Sequence, residues 1–138
     1  ACSIFCVIIC SKNPKIFFLD SGLQSLLWLG SFPPTLLGNI LETNVFSELV
    51  KYYGRGNINF WRTKSGQEID FILNLPSRLI AIEVKTNFQQ YSARHLTQFA
   101  IRYKSEPGMV VALHGDPKNQ YYIYPWQLID ICLISRKD

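Results

Sequence analysis

Paired cysteines, long apolar runs and metal-binding histidines are all scarce in this chain. The four Cys, at positions 2, 6, 10 and 132, form no C-x-x-C spacing, and three of them share one apolar stretch. A disulfide framework or a zinc site would need paired spacing, so these side chains read as buried thiols. The longest nearly uninterrupted apolar run, Ala1 to Cys10, is half of the ~20 residues that cross a bilayer, and no cationic segment precedes it. The expectation is a soluble, cytoplasmic protein with no membrane partner. His95 and His114 have no acid or Cys at ligand spacing and read as polar surface or interior residues without a role. No G-x-x-x-x-G-K-[ST] phosphate loop occurs. The only Met is Met109 and the chain opens within apolar sequence. It is therefore expected to be the C-terminal part of something longer, with processing before Ala1 as the alternative.

What is present fits one ordinary domain. The 138 residues are 48% hydrophobic and 14% aromatic, enough to build a core, which excludes a disordered or collagenous chain. The formal net charge of +4 is modest. Its distribution is more informative. No acid lies between Glu48 and Glu68, an interval holding Lys51, Arg55, Arg62 and Lys64, nor between Glu83 and Glu106, which holds Lys85, Arg94, Arg102 and Lys104. These basic stretches are either a solvated surface or a phosphate-facing one, and Arg62, Lys64, Arg94 and Arg102 are the candidate nucleic-acid contacts.

Residues 3–10 and 16–19 read as short strands separated by the Asn13-Pro14 break, and residues 21–29 as a short helix that Gly30 and Pro33-Pro34 stop. The lead-in is placed at 1–38 and the main unit at 39–138. Asn39 is the expected N-cap of a helix running to Tyr53, with Glu42 completing a capping box and Gly54 ending the element. Leu41, Val45, Phe46, Leu49, Val50 and Tyr53 form its apolar face, onto which Glu42 projects while Glu48 sits at the margin. Three strands follow, over 58–62, 68–73 and 79–85, joined by turns short enough for an antiparallel meander. A helix over 92–104, strands over 109–113 and 121–124, and a terminal helix from Pro125 complete the pattern. Trp28, Trp61 and Trp126 read as core or sheet-edge residues, with base stacking open to Trp61 beside Arg62.

Symmetric pairing about the 75–78 turn sets Asn74 opposite Leu79, Ile72 opposite Ala81, Asp70 opposite Glu83 and Glu68 opposite Lys85. Facing carboxylates repel one another, so Asp70 and Glu83 require a cation, either Lys85 or a divalent metal. Alternation puts Glu83 and Lys85 on one face and Ile82 and Val84 on the other. Two hard carboxylates with room for a phosphate suit Mg²⁺ (or Mn²⁺), and Lys85 is placed to orient water and offset charge on a phosphorane. The structural alternatives are exposed strand acids balanced by Lys85, a Lys85 pair with Glu68, and a Glu42 that only caps its helix.

Gly66-Gln67-Glu68-Ile69-Asp70-Phe71-Ile72 followed by Ile80-Ala81-Ile82-Glu83-Val84-Lys85, after a helix carrying Glu42, resembles the core of the PD-(D/E)XK nuclease superfamily. The segments 14–23, 41–49, 60–66 and 123–128 are similar to the uncharacterised domain at the C-terminus of many prokaryotic AAA-type ATPases. That resemblance implies an α/β fold, with a restriction-endonuclease-like mixed sheet flanked by helices. It also implies a catalytic set of Asp70, Glu83, Lys85 and Glu42, and a metal set of Asp70, Glu83, Val84 and Glu42. The implied partners are DNA and an ATPase portion of the parent chain, and oligomerisation is left open. The expected function is metal-dependent DNA hydrolysis, and the alternative is a nuclease-fold module that binds DNA or docks a partner without cutting. Two positions depart from the superfamily pattern: Ile69 replaces the proline before Asp70, and Gln98 and Tyr103 do not reproduce cleanly the Gln and Tyr of exonuclease-like members.

Overall fold

The computed structural model describes residues 5–8, 15–18 and 34–131. Strands β1 (Phe5–Ile8) and β2 (Lys15–Phe18) pair antiparallel in a ladder of their own, within the apolar stretches expected to be extended. The helix expected over 21–29, Trp28 and the cysteines at 2, 10 and 132 lie outside the described residues.

The main sheet has five strands in the order β3 (Ile58–Arg62), β4 (Glu68–Leu75), β5 (Arg78–Asn87), β6 (Met109–His114) and β7 (Tyr122–Ile123). The β3–β4 and β4–β5 pairs are antiparallel, whereas β5–β6 and β6–β7 are parallel. Connection length accounts for the first change of direction. A two-residue link between β4 and β5 permits only a hairpin, while the longer segment between β5 and β6 carries the helix that a parallel crossover needs. The chain is therefore a mixed α/β fold, as its motif order implies.

Helix α1 (Leu37–Tyr53) covers one face of the sheet and α2 (Arg94–Tyr103) the other. Leu41, Val45, Phe46 and Leu49 of α1 join Phe71, Leu73, Ile80, Ile82, Val84 and Val111 in one cluster. Leu96 and Phe99 of α2 join Ile69, Ile72, Ala81, Phe88, Val110 and Ala112 in the second. Full burial of each large aliphatic or aromatic side chain contributes about 1.5–3 kcal/mol, so these two layers carry the fold. The bidentate Arg78–Glu106 pair, with Nη2 to Oε2 at 2.9 Å, and the Glu106 N–H to Leu79 carbonyl bond tie the end of the α2 connection to the start of β5.

The structure revises several of these expectations. Helix α1 begins at Leu37 with Leu36 as its N-cap and no side-chain cap, because the 3₁₀ turn Pro34–Leu36 runs straight into it; Asn39 lies inside the helix and makes no capping box with Glu42. Its buried face is also wider than its large apolar positions suggest, since Thr43 and Ser47 are buried too. The helix expected from Pro125 does begin there; it is 3₁₀ over Pro125–Asp130, and the Tyr124 N–H donating to Gln127 Oε1 at 2.8 Å fixes its start. Trp126 is 68% exposed and stacks on Tyr124 at 4.7 Å, so it is no core residue. Gly54 ends α1 as expected, at φ 79° and ψ 144°, where a Cβ would be strained.

The register about the β4–β5 turn is the expected one: Leu75 faces Arg78, Asn74 faces Leu79, Ile72 faces Ala81 and Phe71 faces Ile82. Regular pairing ends there, so Asp70 and Glu83 are not a ladder pair. The cause lies on the other side of β4. Asn59 pairs with Ile72 but Trp61 with Ile69, so Asp70 and Phe71 together oppose Phe60 in a β-bulge. The face alternation reverses across it: Phe71 and Leu73 pack toward α1, whereas Ile69 packs with Ile72 toward α2.

Helix α2 is seated by a glycine. A Cβ on Gly108 would stand 2.7 Å from Leu96 Cβ and 2.8 Å from Leu96 Cδ2, closer than packed atoms allow. Gly108→Ala should therefore lift α2 from the sheet and cost about 1–3 kcal/mol, read as a lowered urea midpoint with an unchanged slope.

Candidate active site

Strand β5 is the centre of the sheet, with helices on both faces, and such a strand ordinarily reads as continuously apolar. Ile80, Ala81, Ile82 and Val84 obey that rule; Glu83 breaks it while only 7% exposed. Asp70, in the bulge of β4, is equally buried. Its Oδ2 accepts the Val84 backbone N–H at 2.8 Å, so a side chain takes the place of a ladder carbonyl where the two strands part. Glu83 Oε1 accepts from Lys85 Nζ at 2.7 Å, while its Oε2 is buried with no hydrogen-bond partner. Lys85 therefore pairs with Glu83, while Glu68 Oε2 lies 3.9 Å from Arg62 Nε.

The electrostatics follow from this crowding. Burial, and then the charge of Asp70, raise the Glu83 pKa above the ordinary 4.5; the hydrogen bond and charge of Lys85 and the Asp70 backbone N–H offset only part. Burial alone would lower the Lys85 pKa, but the Glu83 hydrogen bond and the charges of Glu83, Asp70 and Glu42 together raise it above 10.5. Lys85 is thus a fixed ammonium at neutral pH. The charge of Glu42, half-buried on α1 as its place on the apolar stripe predicts, is the smallest of these contributions.

Of the residues singled out by sequence, Asp70, Glu83 and Lys85 are brought together, with Glu42 acting on Lys85 from the adjoining helix. Val84 turns its side chain into the α1 layer and offers the site only its backbone. Arg62 is half-exposed and faces Glu68, whereas Lys64, Arg94 and Arg102 are exposed. Trp61 is not an open stacking platform: its ring meets Phe99 edge-on at 5.5 Å and its Nε1 donates to Tyr103 Oη at 3.0 Å. His95 and His114 are exposed and outside the cluster.

Tyr91 was not visible as a site residue. It is 8% exposed and its ring carries the Lys85 ammonium 5.7 Å from its centroid, which orients the lysine by cation–π attraction. Burial, and then the charge of Glu83, push its phenol well above the usual range, so it stays neutral. Lys118 Nζ, from the loop after β6, holds the Tyr91 carbonyl at 3.2 Å. The 3₁₀ turn Phe88–Gln90 folds Tyr91 back under Lys85, and no periodic pattern in the sequence spans that turn.

Fold and site together define a mixed α/β domain with two buried carboxylates and a lysine at the parting of its central strands. The chain belongs to the DUF4143 family, a domain of unknown function, whose family model matches residues 37–129. No curated protein and no solved structure matches it. No helix among the described residues is long and apolar enough to cross a membrane.

The pairing has a measurable sign. A raised Glu83 pKa means the folded state holds its proton more tightly, so its charge destabilises the fold above pH 4.5 and increasingly through the elevated pKa. Lys85→Met leaves that charge without its ammonium and should cost about 1–3 kcal/mol at pH 8, where the wild-type lysine is fully charged. Denaturant titrations of both proteins at pH 8 and pH 4 should show the difference shrinking at the lower pH, where Glu83 is protonated.

Proposed function

We propose that this domain is a divalent-metal-dependent nuclease of the PD-(D/E)XK type, hydrolysing DNA phosphodiester bonds. One observation carries the reading: on the central strand, Glu83 Oε2 is buried without a partner next to a second buried carboxylate and a single ammonium. Two acids and one cation in a dry site leave a net negative charge, and a hard divalent ion is the chemistry that neutralises it. Among the described residues no three His, Cys, Asp or Glu side chains form a ready metal cage. Mg²⁺ suits a site of two carboxylates because it retains several waters. Asp70 and Glu83 would hold it, with the Val84 carbonyl and, through water, Glu42 as further oxygen donors.

When bound, such an ion supplies Lewis-acid polarisation of the phosphate and a bound water of lowered pKa. The chain's own residues supply the rest. Lys85, held protonated by its three carboxylate neighbours and steadied by Tyr91, orients a water and balances charge developing on the phosphorane; its raised pKa makes it an electrostatic stabiliser and not a general base. Ile82 and Val84, packed against α1, close the opposite face of the strand to water. The exposed Lys64, Arg94 and Arg102 are placed for phosphate contacts, and an ATPase portion of the parent protein is the partner that the sequence resemblance suggests.

A second reading, a module of the same fold that binds without cutting, is favoured by the fact that Asp70 Oδ2 and Glu83 Oε1 are already engaged by Val84 and Lys85. The two separate in one experiment. Calorimetric Mn²⁺ titration should show binding that Asp70→Asn abolishes and that Lys85→Ala preserves, because the ion takes over the role of the ammonium. Plasmid and linear DNA should be cut by wild type with Mg²⁺ and not with EDTA, and Lys85→Ala should slow cutting by about 100-fold or more. Mn²⁺ binding without any cleavage would leave the binding module standing, and Mn²⁺ binding indifferent to Asp70→Asn would refute the site.

A further inference from the structure

Some of the described cations are matched by acids and others are not. Lys51, Arg62, Arg78 and Lys85 each face a carboxylate within 4 Å, on Glu48, Glu68, Glu106 and Glu83. Arg94, Arg102 and Lys104, at the two ends of α2, form no ion pair among the described residues, and residues 94–105 contain no acid at all. Arg94, Gln98 and Arg102 recur every four residues and form one exposed row about 12 Å long on the outer side of the helix. At the far end of that row the Arg102 guanidinium sits 5.6 Å from the centroid of the Tyr103 ring, which is 43% exposed and fixed behind by Trp61 and Phe99. At the near end the helix is reached from Tyr91, whose ring lies beneath Lys85.

We propose that the outer row of α2 is a track for one unpaired nucleic-acid strand, its phosphates on Arg94, Arg102 and Lys104 and one base against the exposed edge of Tyr103. The inference rests on the nuclease reading for the site to which the strand is led. A single row of unpaired cations follows one backbone. An aromatic ring at the end of that row engages a base face, which a stacked duplex does not offer. The bases of an unpaired strand are free to turn toward the ring.

Fluorescence anisotropy of the full chain in EDTA tests this without cleavage, using a fluorescein-labelled oligothymidylate of about 16 nucleotides and a hairpin duplex of equal length. The oligothymidylate should bind about 10-fold more tightly than the hairpin, and Tyr103→Ala should weaken only the former, by about 5-fold or more, with Tyr103→Trp restoring it. The Arg94→Ala/Arg102→Ala pair removes two side chains from an exposed helix face. It should flatten the slope of log affinity against log salt by about 1.4. Equal binding of hairpin and oligothymidylate, or the same slope change from Lys51→Ala on α1, would overturn the track. The Mn²⁺ titration at Asp70 and Glu83 reads the nuclease site independently, so the loss of one reading is distinguishable from the loss of the other.

Discussion

The bond between Asp70 Oδ2 and the Val84 N–H organises this domain. It forms where β4 and β5 stop pairing as a ladder, and it satisfies a donor on the central strand that would otherwise be buried and unpaired. That single substitution of side chain for main chain fixes a carboxylate beside Glu83. The bulge opposite Phe60 is what makes it available. With an extra residue in β4, Asp70 is freed from the alternation that would commit it to one helix layer, and the apolar residues on either side pack in opposite directions.

The surrounding structure holds this arrangement rigid. On one face Ile80, Ile82 and Val84 are locked into the α1 layer, so the intervening Glu83 has no freedom to turn away from Asp70. On the other, Tyr91 and the Lys118 contact with its carbonyl seat the Lys85 ammonium against Glu83. Two like charges in a dry centre raise the Glu83 pKa, and the same two charges keep Lys85 protonated. The fold thus holds two carboxylates together where burial and their mutual repulsion both disfavour charge on Glu83.

Much of this was legible in the residues. The β4–β5 register followed from a short turn and from alternation as far as Phe71 and Ile82; beyond them Asp70 and Glu83 lie close without the ladder pairing that symmetry implied. The inward position of Glu42 followed from the helical stripe. What escaped were features set by tertiary contact. The bulge leaves no mark in the β4 sequence, because Ile69, Phe71 and Ile72 would suit an unbroken strand equally well. The start of α1 was misplaced because Asn39 looks like a cap, whereas the preceding 3₁₀ turn supplies the helix entry. Tyr91 meets Lys85 only through a turn whose geometry no periodicity encodes. Trp126, for which core and sheet edge were both open, is exposed on the 3₁₀ helix that follows the edge strand β7.

The proposal that Asp70 and Glu83 share a divalent ion has a direct test. Crystals of the domain soaked in Mn²⁺ and measured at the manganese edge test that most directly. A single anomalous peak within coordinating distance of both the Asp70 and Glu83 carboxylates, absent in Asp70→Asn crystals, is the predicted result. Peaks confined to surface acids, with Glu83 Oε2 still bare, would contradict it.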